Sequence, residues 1–242
     1  MDGRRHILVT GASSGIGRAI AEQLLAGGHA VVGVARRLEA LSGMEGAFSG
    51  HAIDLARLDR LPARLEALVE AEAGLDGVVC CAGAGRFGSL EEFSYEQIRA
   101  LIDLDLSSQI FVARALLPAL KRQGRGDILF IGSEAGVSGG PRGAVYSAAK
   151  AGLRGLAQAL RQECASRGVR VGIINPGMVR TRFHDGLSFG PGEAAENYIL
   201  PQDVAQLVVQ ILMLRPGTVI DEINLSPLKK VVRGRRTRDR GA

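Results

Sequence analysis

A single α/β domain built on a doubly wound parallel sheet, about seven strands with helices on both faces, is what this sequence predicts. Three observations carry that expectation. Short apolar, β-branched runs alternate with stretches of helical periodicity along the chain. Glycines stand at 11, 15 and 17, directly between the first such run and the first helical stretch. Neither a linker nor an internal repeat interrupts the alternation.

His6-Ile-Leu-Val-Thr10 reads as the first strand. Beyond the glycines, Ala19, Ile20, Leu24 and Leu25 keep helical spacing until Gly27-Gly28 stops the helix. Ala30 to Ala35 is the second strand and Phe48 to Ile53 the third, followed by a helix over about residues 57–73. Gly77 to Cys81 makes the fourth strand. A long helical region covers about residues 94–122, with an irregularity expected near Pro118. Residues 127–132 form the fifth strand, and a helix containing Tyr146 runs to about Arg167. Val169 to Ile174 is the sixth strand. A loop then leads to a helix at about 202–214 and a last strand from Thr218 to Ile223. In such a Rossmann-type sheet, ligands bind at the carboxyl ends of the strands.

The 242 residues suit one domain, placed at 1–228 with a lid at about 178–200. The formal charge of +5 is uneven. Residues 229–242 hold seven of the 30 Lys/Arg and one of the 25 Asp/Glu, which leaves 23 and 24 for the rest. The high basicity therefore belongs to a C-terminal tail, expected to be flexible. Such a tail suits contact with nucleic acid or an anionic membrane, but a solvated terminus is the commoner outcome. Trp is absent and aromatic residues make up only 4%, which argues against base-stacking modules. No apolar run has the length of a membrane span, and no signal peptide is read. Cys80, Cys81 and Cys164 are odd in number and include an adjacent pair. That disfavours a disulfide framework and points to the cytoplasm.

The chemistry is concentrated in a few stretches. A strand followed by Gly11, Gly15 and Gly17 and then a helix allows close backbone approach and a free helix amino terminus, which is what a dinucleotide pyrophosphate needs. The second strand ends in Ala35-Arg36-Arg37, where an NAD-binding fold usually places a carboxylate. Guanidinium groups there pair with a 2′-phosphate, so NADP(H) is favoured over NAD(H). Asp54, with Leu55 beside it, follows the third strand and is placed either to meet the adenine or to cap a helix. Ser133 closes the fifth strand, and Tyr146 and Lys150 lie four apart on one helix face. A hydroxyl, a phenol and an ammonium that lowers the phenol's pKa suit carbonyl–alcohol chemistry when brought together.

With these residues in place, nearly the whole chain resembles the short-chain dehydrogenase/reductases. Thr10-Gly11-Ala-Ser-Ser-Gly15-Ile-Gly17 is similar to that family's cofactor loop, and Pro176-Gly177 with Thr181 to its nicotinamide-side motif. The resemblance implies that Tyr146 exchanges the proton, that Ser133 polarises the carbonyl, and that Lys150 tunes Tyr146 and holds the nicotinamide ribose. It also implies cofactor contacts from Ser13, Ser14, Ile16, Val179 and Thr181. Two departures stand out. Cys80-Cys81-Ala82-Gly83 replaces the usual Asn-Asn-Ala-Gly. Ala82 and Gly83 still allow close approach, and Cys81 reads as a packing residue rather than a redox thiol. The family's helix-four asparagine, part of its proton relay, falls on Asp105, with Asp103 as the alternative.

The resemblance implies an NADP(H)-dependent oxidoreductase that interconverts a small ketone or aldehyde and its alcohol. A catalytically weak NADP(H)-binding sensor or scaffold of the same fold is the alternative. A homodimer or homotetramer is implied as well, and the small residues Ala144, Ala148, Ala151, Gly152 and Gly155 permit close packing. Gly186, Gly190 and Gly192 are candidate lid hinges, and Arg180 and Arg182 candidate contacts for an acidic substrate. Arg86, Phe87, Glu134, Val137 and Arg142 are candidates for the pocket wall. Neither an aromatic cage nor a metal-ligand cluster is read, and none of the four histidines is taken as a ligand.

Overall fold

The computed structural model describes residues 3–234. In chain order the first half comprises β1 (His6–Thr10), α1 (Gly15–Ala26), β2 (Ala30–Ala35), β3 (Phe48–Ala52), α2 (Leu61–Ala71), β4 (Gly77–Cys80) and α3 (Tyr95–Ile102). The second half comprises α4 (Ser108–Gln123), β5 (Gly126–Ile131), α5 (Ala144–Ala165), β6 (Val169–Pro176), β7 (Phe189–Pro191), α6 (Pro201–Leu212), β8 (Glu222–Leu225) and β9 (Val232–Gly234). Seven strands form one parallel sheet in the order β3-β2-β1-β4-β5-β6-β8. The Rossmann-type expectation holds. The winding direction reverses between β1 and β4, which opens a crevice at their carboxyl ends.

Both faces of the sheet are covered, which is why its strands are apolar throughout rather than alternating. Ile20 and Leu24 of α1 and Val204, Val208 and Ile211 of α6 bury one face against Ile7, Val9, Val79 and Leu129. Leu61, Leu65 and Leu68 of α2, Val112 and Leu116 of α4 and Leu153 of α5 bury the other against Leu8, Val78, Ile128 and Phe130.

Several boundaries differ from the expectation for identifiable reasons. The second helix begins at Leu61 rather than 57, with Pro62 in its first turn, where a missing N–H costs nothing. The irregularity expected at Pro118 lies earlier. Pro118 sits inside α4, whereas Asp103–Ser107 forms a wide π turn between α3 and α4. There the Ser108 N–H bonds to the Asp103 carbonyl five residues back. The Leu104 carbonyl instead accepts from Ser108 Oγ at 2.6 Å and Gln109 Nε2 at 3.1 Å. The last parallel strand starts at Glu222, not Thr218. Arg170 occupies the carbonyls of Leu212, Leu214 and Thr218 with its guanidinium, so that stretch turns around a cation instead of pairing.

β7 and β9 form a separate antiparallel ribbon, with Phe189 opposite Gly234 and Pro191 opposite Val232. The boundary expected at 228/229 thus falls at the edge of this ribbon. Lys229 pairs with Glu196 at 3.2 Å, Lys230 with Glu134 at 2.8 Å, and Arg233 with Glu193. Residues 235–242, the rest of the expected basic tail, lie outside the described residues. No helix among the described residues is long and apolar enough to cross a membrane.

At the amino-terminal ends of the central strands, Asp127 accepts from two arginines. Arg5 Nη2 reaches its Oδ2 at 2.6 Å and Arg170 Nε its Oδ1 at 2.7 Å, while Arg5 also pairs with Asp76. Asp127 is buried. Its removal takes from Arg170 its carboxylate partner and from Arg5 one of two, so Asp127→Ala is expected to destabilise the fold by about 3 kcal/mol. Urea unfolding measures this, and an unchanged midpoint would count against the network's importance.

Candidate active site

A cleft of about 590 Å³ lies over the carboxyl ends of the strands. Its floor begins with the loop after β1. Gly11 and Gly15 adopt φ of 70° and 55°, a region that side chains disfavour. A Cβ on Gly17 would collide with the Gly11 carbonyl oxygen, so the third glycine lets α1 sit tightly on the loop. Ser13, Ser14, Gly15, Ile16 and Gly17 all line the cleft, at the amino terminus of α1. Thr10, missed as a functional candidate in its own right, ties the crevice together. Its Oγ1 accepts from the Cys81 and Ala82 N–H groups at 3.0 and 3.1 Å, which joins the end of β1 to the end of β4.

One end of the cleft is bounded by Arg36, Asp54 and Leu55. Arg36 is exposed and lines it. Arg37 is exposed but is not part of the lining and instead precedes a short 3-10 turn. Asp54 caps no helix, since α2 starts later, and accepts from the Ala56 N–H at 3.1 Å.

At the other end Ser133, Tyr146 and Lys150 converge, as the spacing predicted. The turn after β5 is pressed onto α5: a Cβ on Gly136 would lie 2.7 Å from the Lys150 carbonyl. Ser133 caps that turn, accepting from the Ala135 N–H at 3.2 Å, and its hydroxyl favours the ionised form of Tyr146. Lys150 Nζ lies 3.2 Å from Asp105 Oδ1, 3.5 Å from the Ile131 carbonyl oxygen and 5.7 Å from the centre of the Tyr146 ring. Asp105, not Asp103, is thus the residue that meets the lysine. It is fully buried, and both of its oxygens accept from the Ala84 N–H at 3.3 Å. Gly83 is required here, because a Cβ would stand 2.5 Å from Asp105 Oδ1 and 3.4 Å from Lys150 Nζ.

The electrostatics differ from the simple expectation of a depressed tyrosine. Burial pushes the Tyr146 pKa above its usual value; Lys150 pulls it down, and Asp105 pushes it up again. Burial also works against the Lys150 ammonium, but Asp105 and Tyr146 outweigh it and hold the lysine protonated. Asp105 is raised by its own burial, against the pull of Lys150 and the Ala84 N–H. Cys81 lines the cleft with its pKa pushed up to about 12 by burial, which fits a packing thiol rather than a reactive one.

Pro176, Gly177, Val179 and Thr181 line the side facing the glycine loop, and the Thr181 methyl would touch a Cβ on Gly15 at 3.3 Å. Of the expected pocket-wall residues, Phe87 and Glu134 line the cleft, whereas Arg86, Val137 and Arg142 do not. Arg86 lies over Phe93, and Arg142 pairs with Glu92. Arg180 is held over Tyr198; Arg182 lines the cleft, exposed. Among the proposed hinges only Gly186 has the left-handed φ, 89°. Gly190 belongs to β7, and Gly192 donates to the Val231 carbonyl. Contrary to the expectation of no aromatic grouping, Phe87, Phe183 and Phe189 gather with His184 around Tyr146. The Phe87 and Phe183 ring centres lie 5.2 and 5.9 Å from that of Tyr146. Phe87 and Tyr146 are far from Phe183 and Phe189 in sequence, and only the tertiary fold unites them. Among the described residues no cluster suited to a metal ion occurs.

Residues 5–188 match the family model of the short chain dehydrogenases. The chain belongs to that family. This short-chain dehydrogenase is 40% identical over 188 residues to the 3-oxoacyl-[acyl-carrier-protein] reductase FabG of Escherichia coli, covering 75% of this chain and 76% of that one. An uncharacterized oxidoreductase of Staphylococcus epidermidis is 32% identical over 225 residues, 91% of this chain and 96% of the relative. Among solved structures, an alcohol dehydrogenase of Thermococcus sibiricus complexed with 5-hydroxy-NADP superposes with a TM-score of 0.84 at 28% identity, covering 94% and 99% of the two chains. A metagenomic short-chain oxidoreductase in complex with NADP gives 0.79 at 32% identity, covering 93% and 98%. The dehydrogenase is accordingly an oxidoreductase of this family.

Asp105 raises the pKa of both Lys150 and Tyr146. Asp105→Asn removes that negative charge, so the Tyr146 pKa is expected to fall. NMR titration of isotope-labelled tyrosine, assigned with Tyr146→Phe, follows it; a Tyr146 pKa that stays put or rises would refute this electrostatic account.

Proposed function

We propose that the protein is an NADP(H)-dependent oxidoreductase that interconverts a small-molecule ketone or aldehyde and its alcohol. The convergence of Ser133, Tyr146 and Lys150 at one end of a cleft that has the glycine loop along its floor is the observation that carries this reading. The residues present fit a dinucleotide. Gly11 and Gly15 take conformations that let backbone approach a pyrophosphate, and Gly17 brings the α1 amino terminus close. NADP(H) is preferred over NAD(H) because β2 ends in Ala35 and the exposed, cleft-lining Arg36, without the carboxylate that would repel a 2′-phosphate. The NADP-bound relatives support the same choice. Arg36 carries the larger share, since Arg37 stands outside the cleft lining.

A nicotinamide held in this cleft would supply the hydride for reduction or accept it in oxidation. Ser133 donates a hydrogen bond to the carbonyl oxygen, and Tyr146 gives that oxygen its proton in reduction or takes it back in oxidation. Burial keeps the phenol protonated at neutral pH, the state a proton donor needs. Lys150, held protonated by Asp105, offsets the negative charge that develops on Tyr146 when the proton leaves. Gly83 and Ala84 support this pair from the cofactor side and, with Cys81 and Ala82, bound the space for the nicotinamide opposite Pro176, Gly177, Val179 and Thr181.

Two further parts of the reading concern the whole molecule. The protein works as a homodimer or homotetramer, with α5 as one interface. Ala144, Ala148, Ala151, Gly152 and Gly155 are all exposed on that helix, and small side chains allow close backbone approach. The cytoplasm is its compartment, in keeping with three free cysteines, two of them buried. Light scattering on the purified protein that gives a monomer mass would refute the assembly.

Kinetics with NADPH and NADH test the central claim. Tyr146→Phe is expected to lower kcat by at least about 100-fold while NADPH fluorescence still reports binding. Arg36→Ala is expected to reduce the preference for NADPH over NADH by about tenfold or more. Full turnover in the tyrosine variant would sink the mechanism, and an unchanged preference in the arginine variant would sink the cofactor assignment. NADPH binding by the unaltered protein without turnover of any carbonyl or alcohol would favour a sensor or scaffold.

A further inference from the structure

We propose that the substrate is an uncharged ketone or aldehyde carrying an aryl or comparably flat apolar group next to its carbonyl. The proposal deepens the oxidoreductase reading and rests on it. A carbonyl that reaches both Tyr146 and Ser133 has its substituents against the lid side of the cleft. That side is a wall of aromatic rings. Phe87 lies 5.2 Å from Tyr146 and meets Phe189 edge-on at 4.9 Å, while Phe183 lies 5.9 Å from Tyr146 on its own approach. All three phenyl rings line the cleft and none is fully buried, so each keeps some surface open to it. Covering that surface with a flat apolar group removes it from water and allows edge-to-face ring contact.

The wall is held in place rather than incidental. Phe87 and Phe183 rest on Gly85: a Cβ there would collide with the Phe183 ring and come within 2.9 Å of Phe87. Phe189 is fixed by the β7–β9 pairing, in register with Gly234. Lys230, beside β9, engages the Glu134 carboxylate at 2.8 Å, directly after Ser133, so the acid at this end has a cation of the ribbon as its partner. The cations near the wall offer an acidic substrate little. Lys150 is already paired with Asp105. Arg182 is exposed, where water and salt screen its attraction.

The test compares kcat/KM with NADPH for three probes of similar size: an aryl methyl ketone, an aliphatic methyl ketone and an aliphatic keto acid. The aryl ketone is expected to be preferred. Phe189→Ala is expected to cut the aryl-to-aliphatic ratio about tenfold, and Phe189→Leu, which keeps apolar bulk without the ring, to cut it less. Thermal melting and NADPH binding confirm that both variants are folded; Phe183→Leu takes their place if they are not. A preference for the keto acid, abolished by Arg182→Ala, would overturn the substrate class while leaving the oxidoreductase reading standing. An aryl preference indifferent to Phe189 and Phe183 would overturn the role given to the ring wall. NADPH binding without turnover of any of the three would overturn the substrate class, and the oxidoreductase reading would fall only if a wider set of carbonyls and alcohols also stayed unconverted.

Discussion

A lysine and an aspartate taken out of water together set the terms for the centre of this molecule. Neither Lys150 nor Asp105 is tolerable there alone, because an unpaired charge in such a place costs several kcal/mol or titrates away. At 3.2 Å each supplies what the other lacks. Much of the surrounding backbone follows from accommodating the pair. The π turn at Asp103–Ser107 lies where α3 gives way to α4 and carries Asp105 on the buried side. Gly83 leaves the space a Cβ would take, and the Ala84 N–H completes the carboxylate's shell. Gly136 lets the Ser133 turn lie directly on the Lys150 backbone. Position and protonation of the phenol are then consequences of packing around one ion pair.

The two ends of the sheet use charge for different purposes. At the amino-terminal ends Arg5, Asp76, Asp127 and Arg170 saturate one another and the neighbouring carbonyls. Arg170 draws the chain around itself strongly enough to displace the start of β8. That cluster has no access to the cleft and serves to pin strands β4, β5 and β6. At the carboxyl ends the balance is left incomplete. The glycine loop carries no side chain to satisfy the α1 amino terminus, whose N-cap Ser14 makes no side-chain cap, and Arg36 lies open. An unsatisfied helix terminus and an open guanidinium are what a phosphate-bearing ligand completes.

The layered fold was legible in the sequence because parallel strands buried on both faces and amphipathic helices have distinct periods. The same holds for Gly11, Gly15 and Gly17, and for Ser133, Tyr146 and Lys150, which depend on local spacing. What was not legible arises from long-range geometry. Pro118 is the obvious helix breaker on paper, yet α4 absorbs it and the break falls at Leu104, where Ser108 and Gln109 capture a carbonyl. The sign of the Tyr146 shift depended on how deeply the phenol is buried, which four-residue spacing to a lysine does not tell. Phe87, Phe183 and Phe189 are brought together by the tertiary fold alone, so a low aromatic content concealed their concentration at one place.

That concentration links the far end of the chain to the chemistry. Val232–Gly234 would count as part of a charged tail by composition, yet it is the pairing partner of the strand that carries Phe189. Lys230 beside it pairs with the residue following Ser133. Three ion pairs, to Glu134, Glu193 and Glu196, fasten the same short segment to the 178–200 stretch and the turn after β5. All three involve exposed lysine or arginine side chains, so each adds little by itself and is weakened by salt. Their joint effect is to choose a position for the ribbon rather than to stabilise the fold. The ribbon that carries Phe189 is therefore positioned by ion pairs weaker than the contacts holding the sheet.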